Sequence, residues 1–290
     1  MQTLTHGAWL VWILSLPGIA KAPAPKVDLL RVDFTHEVDR QAQTPAQPQP
    51  VTRAEDTSGR EFFFSWGYNG DGYSNSDIHF SQPSLGNDFT LVDVSIRDSK
   101  TWTDLFNHSL FVPQYDVRFG VFFNEKWGLE VALDHMKWIV REDQQVRITG
   151  TLNGSPVDGQ ITLTKDVLRY QLNNGANPIF FNLMRRFRLA GTRGHTGYFT
   201  LLAKAGGGFA VPHTENTLFG QPNDKGFQPF IGWDLDAGVA GRIHFYRWLY
   251  FEAEQKFVYA RYHDVKVDRG TARHSVKASE FTFNFGAAFR

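Results

Sequence analysis

Three histidines in the sequence have acidic neighbours at ligand-like spacing. His79 follows Asp77 by two residues in SDIHF, His135 follows Asp134 directly in DHMK, and His213 precedes Glu215 by two residues in VPHTE. Neutral imidazole combined with carboxylate is a donor set suited to Zn, Fe, Co or Cu. His79, His135 and His213 are therefore candidate ligands for a divalent metal ion, provided the fold gathers them at one place. Glu215 would then be placed to accept a proton. Lys137 and Arg141 would hold a phosphate group, the lysine as a point charge and the arginine as a bidentate fork. The plainer reading is that these are surface histidines. Other catalytic signatures are scarce: there is no G-x-S-x-G, no phosphate loop and no H-E-x-x-H. The chain has no Cys, which excludes disulfides, thiolate metal sites and thiol catalysis. The triplet Gly206 to Gly208 precedes no helical pattern, so it reads as close backbone packing within a strand.

Positioning such residues falls to β-structure. The chain has 290 residues, with 30 Lys+Arg against 30 Asp+Glu, and 15% of it is aromatic. Zero net charge argues against a nucleic-acid partner. From Glu61 onward the dominant period is two. Phe62, Phe64, Trp66 and Tyr68 share one face, with Phe63, Ser65 and Gly67 on the other. The pattern recurs over Gln114 to Phe123, Trp127 to Trp138, Ile179 to Arg186, Phe199 to Gly206, Trp233 to His244, Leu249 to Tyr259 and Phe281 to Phe289. Asp116, Arg118, Glu130, Asp134, Arg186, Lys204, Asp234, Asp236, Arg242, Glu252, Glu254 and Lys256 fall on the face opposite the rings. A water-soluble barrel would turn such charges outward. In lipid no backbone group can go unpaired, so strands must close into a barrel. The expectation is an all-β, transmembrane, antiparallel up-and-down barrel of eight strands, with ten as the alternative count, rings toward lipid and charges paired within a narrow interior. A soluble sandwich or a lipocalin-like ligand carrier is the competing fold.

Turn lengths set the topology. The connections Asn124 to Lys126, Ala190 to His195 and Tyr246-Arg247 are short, as periplasmic turns are. The connections Asn69 to Val112, Arg141 to Pro178, Val211 to Gly232 and His263 to Lys277 are long and extracellular, with both termini periplasmic. Within them, Asp88 to Asp98 and Ile161 to Tyr170 read as strands of hairpins standing above the membrane. Alternation from Leu133 turns His135 to the lipid side. At the N-terminus, Ala8 to Ile19 followed by Ala20-Lys21-Ala22 has the shape of a secretory signal peptide. The division expected is 1–22 as signal peptide, 23–60 as a periplasmic Pro/Gln-rich extension and 61–290 as barrel, in the outer membrane of a Gram-negative bacterium.

The segments PQYDVRFGVFF, LDHMKWIV and GGGFAVPHTE resemble, in order and spacing, those of the lipid A oxidase-like outer-membrane proteins of Gram-negative bacteria. The final run ending Phe289-Arg290 resembles the C-terminal strand signal of such barrels, which implies the barrel assembly machinery as a partner and a monomer as the product. The family likeness implies oxygen-dependent oxidation of the proximal glucosamine of lipid A. It points to His213, His135 and Lys137 as site positions, with His79 less strongly matched. The alternative function is a non-enzymatic structural, adhesive or narrow-pore barrel.

Overall fold

A computed structural model describes residues 59–99, 114–172, 175–193 and 195–290. The expected signal peptide and most of the extension lie outside the described residues. Seventeen strands follow in chain order: β1 (Glu61–Tyr73), β2 (Ser76–Gln82), β3 (Asn87–Val94), β4 (Ile96–Asp98), β5 (Tyr115–Phe122), β6 (Trp127–Asp134), β7 (Trp138–Val140), β8 (Gln145–Leu152) and β9 (Ser155–Thr162). The second half holds β10 (Leu168–Leu172), β11 (Pro178–Ala190), β12 (Tyr198–Ala210), β13 (His213–Leu218), β14 (Gln221–Phe227), β15 (Gly232–His244), β16 (Leu249–Val267) and β17 (Gly270–Phe289).

Eight of them close a ring in the order β1-β5-β6-β11-β12-β15-β16-β17, with β17 pairing back to β1. All ring pairings are antiparallel, and they join the eight segments whose alternation the sequence displays. The eight-strand count holds. Local chemistry makes the short turns. In the β5–β6 turn the Asn124 side-chain oxygen accepts the backbone N–H groups of Lys126 and Trp127, both at 2.8 Å. That is the turn-forming bond for which asparagine is favoured. The glycine triplet acts as expected. A Cβ on Gly206 or Gly208 would run into the carbonyl oxygens of Phe181 and Ile179 on β11.

The ring is inverted relative to a soluble barrel. Phe119 is 57% exposed, Leu235 52% and Phe285 60%, whereas Asp134, Arg242 and Glu252 are wholly buried. Among the described residues, every charged side chain assigned above to the inner face is buried. The interior ions pair across the lumen. Lys204 donates to Glu130 at 3.0 Å, Glu252 at 2.7 Å and Glu254 at 2.9 Å. Arg242 binds Glu252 at 2.6 Å. Arg118 and Lys256 both bind Asp134, and Lys256 also reaches Glu280 at 3.2 Å. Below them Phe63, Phe122, Met184, Leu202 and Tyr250 form a small apolar plug, over whose rings the Arg242 guanidinium lies, 4.5 Å from Phe63 and 4.0 Å from Tyr250. Rings outward and ions sealed within is the arrangement only a lipid surround stabilises. The lipid-facing run from Trp233 to Ile243 on β15 suits the ~9–11 residues of a tilted membrane strand. The chain is a transmembrane barrel of the outer-membrane type.

Above the ring stands a cap. β2 continues upward along β17 where β1 leaves it (Tyr73 pairs Ala278, Ile78 pairs His274), and β3, β8 and β9 extend that sheet. A second sheet, in the order β14-β13-β10-β7-β4, packs against it. Ile78, Phe80, Phe89, Leu91, Trp138, Ile148, Leu168, Tyr170 and Leu218 fill the space between. The two strand readings in the outer connections are realised as β3 with β4 and as parts of β9 and β10.

Candidate functional site

The cap's outer face carries the most concentrated donor set. β12 ends at Ala210, and after Val211-Pro212 the chain resumes as β13, with the His213 N–H donating to the Gly175 carbonyl at 3.0 Å. β13 and β14 are joined by Phe219-Gly220, both at positive φ (47° and 76°), the conformation a two-residue hairpin turn requires. A phenylalanine at positive φ is strained. It is held by its N–H bond to Val167 at 3.0 Å and by ring contact with Phe89 at 5.8 Å.

On this hairpin His213 and Glu215 lie two apart on one face, and Asp224 sits directly across from Glu215. The register shifts between His213 and Glu215, a bulge that re-aims side chains. It brings His213 Nε2 within 2.8 Å of the Asp224 carboxylate. The Gly226 N–H binds the same Asp224 oxygen at 2.8 Å. That bond, with His213 second, holds the Asp224 carboxyl below its usual range. Gln171 donates to Glu215 at 2.9 Å from the adjoining β10. One atom each from His213, Glu215 and Asp224 can lie within 4.8 Å of one another. Among the described residues no other trio of His, Cys or acid meets that spacing. An imidazole and two carboxylates fit a divalent cation by donor chemistry. Among the described residues none bonds the buried His213 Nδ1, the atom through which a metal-bound imidazole is commonly oriented. A cleft of about 380 Å³ opens beside the trio, lined by Arg169, Gln171, Glu215, Thr217, Asn223 and Asp224.

The remaining candidates fall elsewhere. His135 stacks on Tyr115 at 4.7 Å, on the side alternation assigns it. Its Nδ1 pairs with Asn177 at 2.6 Å. Burial, with Lys137 adding to it, lowers its pKa. His135 and His213 both border the segment 175–177: a Cβ on Gly175 would strike the His135 ring, and the Gly175 carbonyl accepts from His213. His79 pairs with Asp88 at 3.0 Å on the outer side of β2, and Asp77 accepts the Asp93 N–H at 2.8 Å. Asp134 belongs to the luminal ion network. Lys137 is buried and Arg141 exposed, so they do not present one surface. The structure thus joins His213 to Glu215 and brings His135 to the same segment, while His79 keeps a separate partner. Asp224 was not anticipated. Its signal was the turn-rich QPNDKG, which only folding back against VPHTE makes meaningful.

Neither a known protein family nor any curated protein matches the sequence. Among solved structures the chain is similar to Ail, the attachment invasion locus protein of Yersinia pestis, crystallised with the heparin analogue sucrose octasulfate. The identity is 11% and the TM-score 0.34, over 79% of this chain and 99% of that one. It is similar also to the outer membrane protein OprG of Pseudomonas aeruginosa, at 13% identity and TM-score 0.37 over 81% and 97%. The outer membrane protein AlkL, determined in lipid bilayers, is 8% identical with a TM-score of 0.36 over 86% and 97%. Placement in a membrane rests on the chain's own inverted faces.

Proposed function

We propose that this outer-membrane barrel acts through its cap and not its lumen, at the His213–Glu215–Asp224 cleft, on the sugar head of an outer-leaflet glycolipid. The reaction is oxygen-dependent oxidation of the proximal glucosamine of lipid A. One observation carries the reading. The donor trio begins only three residues beyond the end of β12, beside the exposed ring of Phe227, 4.9 Å from His213, at the level where a barrel meets lipid heads. A divalent metal held by His213, Glu215 and Asp224 would supply Lewis-acid and redox chemistry. The chain's own groups orient it: Gln171 and the Gly226 N–H fix the two carboxylates, and the bulge aims His213. Glu215 is the proton acceptor and His135 lies behind the same segment; of the two phosphate candidates only Arg141 is exposed, Lys137 being buried. Mass spectrometry of lipid A from aerobic cells with and without the gene tests this. The expected result is a sugar core heavier by one oxygen, abolished by His213→Ala in a barrel that still folds. Unchanged lipid A ends the enzymatic reading.

The second reading is a structural or adhesive barrel. The separately cored cap favours it, since function then resides in surfaces above the membrane. The ion-filled lumen argues against the narrow-pore version. Assembly through the C-terminal strand as a monomer belongs to both readings.

A further inference from the structure

We propose that Arg261, Arg273 and Lys277 form a docking site for the phosphate groups of an outer-leaflet glycolipid. This rests on the membrane placement alone and not on the oxidation reading. The outward face of the β16–β17 hairpin changes character along its length. Phe257 and Tyr259 on β16 and Phe281 on β17 are its last large lipid-facing rings. From Tyr259 upward the same face carries Arg261 and His263 on β16, with Lys277 level with Tyr259 and Ser275 and Arg273 above it on β17. Arg261 pairs across from Ser275, and Tyr259 pairs with Lys277. Arg273 and Lys277 flank Ser275 two residues away on either side, so three cations surround one small residue within about 7 Å of backbone spacing. Arg273 in turn pairs with His79 on β2.

A hollow of about 610 Å³ opens at this point, lined by these three cations with His79, His263 and Ser76 among others. Two acids, Asp77 and Asp264, also line it, against three cations. Asp77 already accepts the Asp93 N–H, and His79 is engaged by Asp88. Arg147 and Arg269, elsewhere on the cap, are paired with Asp158 and Asp268 at 2.8 and 3.1 Å, whereas no ion pair joins Arg261, Arg273 or Lys277 to a described carboxylate. Lys277 pairs with Tyr259 and Arg261 with Trp233 of β15, so the cations begin at the uppermost rings of the belt, the aromatic girdle that marks the membrane–water interface. That is where the charged heads of anionic lipids lie, and where each lysine or arginine attracts them. Continuity with the lipid-facing belt selects a lipid phosphate over a soluble anion.

The test uses the folded barrel in nonionic detergent, with native mass spectrometry against diphosphoryl lipid A, its fully dephosphorylated form and inorganic phosphate. The wild-type protein is expected to retain the diphosphoryl lipid about tenfold or more tightly than the dephosphorylated one. The triple variant Arg261→Ala, Arg273→Ala, Lys277→Ala should lose that preference. The double variant Arg147→Ala, Arg269→Ala should keep it. Heat-dependent gel mobility verifies that every variant is folded. A preference undiminished in the triple variant overturns the site, as does equal binding of the two lipids by the wild type. Inorganic phosphate bound as tightly as the lipid, with the same dependence on the three cations, overturns the assignment to lipid.

Discussion

Two halves of one hairpin bury opposite kinds of side chain. In the lower half of β16 the inward residues are Tyr250, Glu252, Glu254 and Lys256; in the upper half they are Val258, Ala260 and Tyr262. β17 changes at the same rung. Glu280, Thr282 and Asn284 point inward below, while Ala278, Val276 and His274 do so above, and Val258 pairs with Ala278 just as Lys256 pairs with Glu280. The backbone is continuous and the period never breaks. What changes is the surround. Below the switch the outside is hydrocarbon, so polar groups gain by turning to one another. Just beyond it, past the last rings at Tyr259 and Trp233, the outside is water, so apolar groups gain by turning inward. The hydrophobic effect therefore holds the cap together, and a network of paired ions fills the barrel.

That contrast can be broken from either side. Lys204→Met leaves Glu130, Glu252 and Glu254 buried around a lost cation. It should destabilise the barrel by about 3–5 kcal/mol, read as a lower urea midpoint by tryptophan fluorescence in lipid vesicles. Phe80→Ala empties the middle of the cap core at a similar cost of about 3–5 kcal/mol. It should make the cap protease-sensitive while the barrel keeps its folded gel mobility. A barrel that melts together with the cap would mean the two cores are not separate. Val239→Arg, on the lipid face, should cost about 2–4 kcal/mol, whereas Thr271→Arg on the outer face of the cap hairpin should change stability by less than about 0.5 kcal/mol.

Acid should act on the cap first. His274, in the part of β17 above the switch, is enclosed by Trp138, Tyr170 and Tyr262. Burial pushes its pKa down to about 3 from 6.5. The unfolded chain then binds the proton more readily than the folded one. The stability present above pH 6.5 is lost as pH falls toward 3, by up to about 1.4 kcal/mol per pH unit. His135, also lowered, adds in the same direction. Proteolysis of the cap between pH 7 and 5 should accelerate, and His274→Phe should flatten that dependence. A near-silent change closes the series: Arg147→Ala opens a fully exposed pair with Asp158, which water screens, so the cap's stability should barely move.

The barrel was legible in the sequence because alternation is local: Asp116, Arg118 and Gly120 declare an inner face without reference to any partner. The polarity reversal was harder to see. The run KFVYARY keeps its period through the switch, and nothing local reveals that Val258 shares a face with Lys256 while facing a different interior. The cap's strands were legible in DFTLVDVSIRD and ITLTKDVLRY, but their partners were not. β10 pairs with β13 across more than forty residues (Gln171 with Glu215), a choice made by core packing. The candidate site split along the same line. His213 and Glu215 could be read from their spacing, whereas Asp224 required the hairpin register and its bulge.

The switch within β16 and β17 also fixes how the chain may pair with itself. A slip of one residue turns every side chain of a strand over. In most half-buried sheets that mistake is punished by one solvent. Here a single-residue slip of β16 would push Glu252, Glu254 and Lys256 into lipid and, in the same movement, deliver Ala260 and Tyr262 toward water. Two immiscible surroundings, stacked along one ribbon, thus proofread the same alignment independently.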